Sequence, residues 1–163
     1  MRLTIRLLFL ATLLMSCNVR KEREIRVLND FDYKLTDKEQ VLQLTKPVSD
    51  HFQSFFDSAS FQVPIYRYIK GDDYQTYIGL ALQTNLGEIK RFIIEDRDSV
   101  MNDSIIEKDN KLYIFSKKNN SIIVEHIIGS GKNTIYILTE TNSAGIAKRN
   151  LNIQSLENRI RYK

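Results

Sequence analysis

Cysteine is nearly absent from this chain of 163 residues: Cys17 is its single one, so no disulfide framework can form within one chain. Tryptophan is missing altogether, which removes the ring most suited to a sugar-stacking platform. Histidine occurs only as His51 and His126. Imidazole is the usual general base and the commonest metal ligand, yet these two do not form a ligand-spaced pair, and no metal or other cofactor is expected. Two prolines and six glycines are too few for a fibrous or disordered chain. The apolar run Leu7–Met15 falls well short of the roughly 20 residues needed to cross a bilayer as a helix.

The composition that remains is that of a folded domain, with 42% hydrophobic and 27% charged residues. The length suits one core. The formal charge of +4 drops to near +2 if Arg2 and Arg6 leave with a signal segment. That bias is too weak for a nucleic-acid partner.

The first residues carry the most specific pattern. A basic start with Arg2 and Arg6 precedes Leu7–Met15 and then Leu14-Met15-Ser16-Cys17. A charged start, a short apolar core and small residues at the end make a secretory signal peptide. The tetrad resembles the lipobox of bacterial lipoprotein precursors, with Leu14, Ser16 and Cys17 fitting the motif and Met15 a less usual occupant. The resemblance covers 17 residues. It implies removal of residues 1–16, lipid (palmitate among its chains) on Cys17, and a membrane anchor in the cell envelope. Asn18 resembles an outer-membrane address by the enteric sorting rule. Several acyl chains hold stably where one binds marginally. Residues 17–30 then read as anchor and tether, and 31–163 as a single globular domain.

Along the domain, Thr36-Asp37-Lys38-Glu39 has the capping-box form, and 37–45 reads either as part of a kinked helix or as a strand. Val48, Phe52, Phe55, Phe56 and Ala59 recur at three and four, which predicts an amphipathic helix at about 47–59 behind Pro47. Alternating or β-branched runs predict strands near 63–69, 74–82, 88–94, 111–116, 121–128 and 134–139. Turn residues separate them, and the short spacings favour antiparallel hairpins. Ile153, Leu156 and Ile160 have helical spacing. The expected fold is α+β: a mostly meander antiparallel sheet with the 47–59 helix on one face and a short C-terminal helix. The order resembles small cystatin-like helix-on-sheet folds; a small closed barrel is the alternative.

Candidate sites are few. Gly129-Ser130-Gly131-Lys132 lacks the earlier glycine and the Ser or Thr after lysine that a phosphate loop requires, so it reads as a hairpin turn. Asp96, Asp98 and Asp103 offer oxygen ligands for calcium, but Val100 and Met101 break the helix-loop-helix pattern. Asp98-Ser99-Val100 and Asp103-Ser104-Ile105 resemble the acceptor motif of a general O-glycosylation system, making Ser99 and Ser104 candidates. Tyr66, Arg67, Tyr68, Tyr74 and Tyr77 cluster on one hairpin and form the candidate binding surface, since tyrosine and arginine are favoured at interfaces. No nucleophile–base set is recognisable. The sequence therefore points to an anchored, non-catalytic binding or adaptor domain with a protein partner in the envelope. An immunity or inhibitor protein against a secreted toxin is the alternative, and a small hydrolase using His126 or His51 the third.

Overall fold

The computed structural model describes residues 23–28, 31–42, 65–96, 104–118 and 120–163. The lipobox, the 47–59 helix, His51, Asp98, Ser99 and Asp103 lie outside the described residues. What is described is mostly antiparallel β-sheet with three helices, an α+β architecture.

Strands β1 (Arg23–Leu28), β2 (Phe31–Leu35) and β10 (Ile160–Tyr162) form a small sheet in the order β1-β2-β10. Strands β3 (Gln40–Leu42), β4 (Ile65–Lys70), β5 (Tyr74–Ala81), β6 (Ser104–Lys108), β7 (Lys111–Lys118), β8 (Ser121–Ser130) and β9 (Asn133–Thr141) form the large one. Its order is β3-β4-β5-β9-β8-β7-β6. Among the described residues the sheet is open, with β3 and β6 at its edges, and forms no closed barrel. It is a meander with one break. The chain leaves β5, passes through helix α1 (Leu86–Asp96) to the far edge at β6, and returns strand by strand until β9 pairs with β5. Helices α2 (Ala144–Asn150) and α3 (Ile153–Glu157) follow β9.

Two tight turns fix the register of the returning strands. Asp109 and Asn110, between Lys108 and Lys111, have φ of 49° and 58°. Positive φ at both central residues is the type I′ requirement, and Asp and Asn tolerate it. Gly131, at φ 59°, opens the two-residue loop between Ser130 and Asn133. The glycine-rich segment is thus a hairpin turn.

The large sheet is buried on both faces, which explains the apolar runs in β8 and β9. On one face Tyr77, Leu112, Ile114, Ile123, Ile127 and Tyr136 pack against Leu86, Ile89 and Ile93 of α1. On the other, Ile69, Ile78, Ile128, Ile135 and Ile137 meet the small sheet through Ile25, Val27, Phe31 and Tyr33. Each such side chain contributes about 1.5–3 kcal/mol by leaving water.

Two sequence expectations are corrected and one open choice is settled. Residues 88–94 belong to α1 and are not a strand. Ile89 and Ile93 are buried one turn apart, and the helix start is locked reciprocally. Asn85 Oδ1 accepts from the Glu88 N–H at 3.0 Å, while Glu88 Oε2 accepts from the Asn85 N–H at 2.9 Å. The β-branched Ile93-Ile94 masked that period. Of the two readings of 37–45 the strand holds for Gln40–Leu42, and the box at Thr36–Glu39 closes the turn before it, with the Thr36 N–H donating to Glu39 Oε2 at 2.7 Å. Ile160 does not extend the last helix; it pairs with Tyr33 in β10.

Candidate functional site

Glu39 lies at the point where the two sheets, α3 and the hairpin between β4 and β5 converge, and it is fully buried. Its Oε1 accepts from the Tyr74 hydroxyl at 2.7 Å and from a terminal nitrogen of Arg159. Its Oε2 is held by the Thr36 N–H, and its backbone carbonyl accepts from Arg23 at 3.1 Å. An acidic group out of water is tolerable only when paired and hydrogen-bonded in this way.

The partners are themselves fixed. The Arg159 guanidinium stacks over the Tyr33 ring at 5.1 Å. Burial works against its charge, but the oxygens of Tyr33 and Glu39 outweigh that and hold its pKa above the ordinary arginine range. Burial and the hydrogen bond to Glu39 push the Tyr74 phenol up to about 12. Burial also raises Tyr33. All three groups keep their protons throughout the neutral range. Gly71 is required beside them, since a Cβ there would meet the Tyr74 ring at 2.4 Å.

This cluster forms one wall of a cleft of about 470 Å³ between the β2–β3 turn, the β4–β5 turn, α2 and α3. Lys38, Asp72, Asp73, Arg149 and Ser155 are among the residues that line it with Tyr74 and Arg159. Lys38 and Asp72 form an exposed ion pair at 3.1 Å. A second cleft, of about 450 Å³, lies on the other side of the same β4–β5 turn and is lined by Glu140, Thr141 and Ser143 among others. Both present hydroxyl, amide and charged groups of both signs, a chemistry that holds a polar partner by hydrogen bonds.

The tyrosine surface expected from the sequence is divided by the pleat. Tyr68 and Tyr77 lie on the α1 side, stacked at 5.1 Å, and both hydroxyls donate to Gln75 Oε1. Tyr77 is 4% exposed and belongs to the core, so it is no part of a free surface. Tyr74 projects to the opposite face and lines the cleft. Arg67 is half-buried. Tyr66 lies in β4, its side chain outside the described residues. Sequence reasoning missed Glu39 and Arg159 as partners, for they are 120 residues apart and the box around Glu39 signals only its bond to Thr36.

Of the other candidates, His126 is 1% exposed, within the sheet. It stacks on Tyr113 at 4.6 Å, and its Nε2 stands 3.9 Å from Glu157 Oε1, too far for a hydrogen bond. Burial, helped by the nearby Lys111 cation, lowers its pKa to about 3. Glu157 instead accepts from Lys111 at 2.8 Å. The imidazole is therefore neutral and shut away from any substrate. Asp96 ends α1, and among the described residues no group of three or more His, Cys, Asp or Glu is arranged to hold a metal. Ser104 is exposed on the edge strand β6.

No protein-family model matches the chain, and no curated protein matches it. Among solved structures, it is similar to the solution structure of cyanobacterial PsbP (CyanoP) from Synechocystis sp. PCC 6803. The TM-score is 0.54 at 6% sequence identity, over 91% of this chain and 96% of that one. At such identity the likeness is one of fold, and a fold of this kind hosts unrelated functions.

Proposed function

We propose that this chain is a lipoprotein of the bacterial cell envelope, held to a membrane, the outer one by the Asn18 rule, through lipid on Cys17. Its domain is a non-catalytic binding or adaptor module that contacts another envelope protein through the cleft beside Tyr74 and Arg159. The anchor rests on the signal pattern and Leu14-Met15-Ser16-Cys17. Among the described residues no helix is long and apolar enough to cross a membrane.

The observation that carries the binding role is the rigid cleft wall. Glu39 fixes Tyr74 and Arg159 from beneath, so the cleft is pre-organised, and binding there loses little side-chain freedom. Lys38 and Arg149 at its rim supply charge that a partner can read.

The test is a cross-linking capture from intact cells carrying the tagged protein, beside Cys17→Ser and a Lys38→Glu, Arg149→Glu form. Metabolic labelling with a palmitate analogue reads the anchor directly. An envelope partner captured by the native protein and lost in the cleft variant supports the role. Capture unchanged by both cleft substitutions removes the cleft from it, and an unlabelled Cys17 removes the anchor.

A further inference from the structure

The small sheet covers the large one with its inner face and leaves its outer face turned away from the core. Alternation along β1 puts Ile25 and Val27 inward and Glu24 and Arg26 outward. Pairing aligns Arg26 with Asp32, and Asp32 with Arg161, across the three strands. Together with Tyr162 and Lys163 these side chains line a groove of about 460 Å³. Arg161 pairs with Glu24 at 2.9 Å, and Lys163 with Asp32 at 2.8 Å. Three cations thus stand over two acids, while Tyr162 pairs with the inward-facing Phe31 and turns its ring to that side, 5.8 Å from Phe31 and beneath Lys111. An excess of basic over acidic side chains on an exposed sheet face matches the chemistry of anionic headgroups at a membrane surface.

Position selects the occupant. Only five residues, Asn18 to Glu22, separate Cys17 from the first residue of β1. Fully extended they reach about 20 Å, so the sheet stays close to whatever holds Cys17. Arg20 and Lys21 against Glu22 give that stretch a net +1 of the same sign.

We infer that the outer face of the β1-β2-β10 sheet docks on anionic phospholipid headgroups, with one headgroup seated in the groove between Arg26 and Arg161. The inference rests on lipidation of Cys17. It fixes the order of layers from the membrane outward: small sheet, large sheet, α1. The helix carrying Arg91 then faces away from the lipid.

Two measurements decide it, both on the full chain. The Cys17→Ser form, which lacks lipid, is sedimented with phosphatidylcholine vesicles with and without phosphatidylglycerol. Binding is expected only when the anionic lipid is present and to fall at raised salt. Arg26→Glu with Arg161→Glu should weaken it at least tenfold, on the basis of about fivefold for each basic residue at an anionic surface. The neutral pair Arg26→Gln with Arg161→Gln, which avoids placing acids beside Glu24 and Asp32, should weaken it less but measurably. For the lipidated protein on the same vesicles, energy transfer to a headgroup dye is expected to be stronger from a label at Arg26→Cys than at Arg91→Cys. Unchanged sedimentation of both charge variants, or stronger transfer from position 91, overturns the docking. Palmitate labelling of Cys17, read separately, shows whether the anchor itself has failed.

Discussion

Arg159 donates to the buried Oε1 of Glu39 across 120 residues of chain, and that contact ties the C-terminal segment to the turn between the two sheets. Everything polar around it depends on both partners. Removing one should cost much more than removing both. Glu39→Ala is expected to destabilise the domain by about 3–5 kcal/mol, since it strands a largely buried guanidinium. Glu39→Leu combined with Arg159→Met should recover a large part of that loss. Urea unfolding of the native protein, Glu39→Leu, Arg159→Met and the double variant closes the cycle, and a strictly additive double variant would contradict the pairing.

His126 predicts a particular acid sensitivity. Its folded pKa of about 3 lies below the roughly 6.5 of a free imidazole, so the unfolded chain takes up a proton that the folded one refuses. The stabilisation this gives is fully present above pH 6.5. It is lost as pH falls toward 3, at up to about 1.4 kcal/mol per pH unit. The acidic groups also titrate in that window, so the difference from a His126→Phe variant isolates the histidine. The two curves should run parallel above pH 6.5, and the native protein should lose stability relative to the variant steadily as pH falls from 6.5 toward 3; curves parallel throughout would exclude the effect.

Gly71 should tolerate no side chain. A Cβ there falls 2.4 Å from the Tyr74 ring, and moving the ring breaks its hydrogen bond to Glu39. Gly71→Ala is expected to cost about 1–3 kcal/mol and to bring the Tyr74 phenol down from about 12 toward the ordinary tyrosine value. Ultraviolet difference titration against a Tyr74→Phe control reads the second effect, which a general loss of packing in the native state would not produce alone.

The start of α1 supplies a local test. Asn85→Ala removes the acceptor for the Glu88 N–H and should cost about 1 kcal/mol. Glu88→Ala removes the reciprocal bond at 2.9 Å, and because the two bonds close one box, the double variant should cost less than the sum. Thermal unfolding of the four proteins tests it.

Much of the β-architecture was legible locally. Hairpins between 111 and 141 follow from β-branched runs and from Gly131, because strand period and turn chemistry act over few residues. The 88–94 stretch failed for a reason of the same kind: an isoleucine-rich run fits both periods, and the cap at Asn85 with Glu88 decides between them. The candidate tyrosine surface failed because a pleat sends neighbours on one strand to opposite faces. Tyr74 and Tyr77 could not be separated without knowing which face each core covers.

The sequence by itself determined the α+β class and most strands of the large sheet, since each depends on residue type and short spacing. Only the tertiary structure decided that β9, not β6, lies beside β5, and that β1, β2 and β10 form a second layer. It alone brought Glu39, Tyr74 and Arg159 to one cleft. Those contacts join residues far apart in the chain, and their energy comes from burial, which no local pattern records.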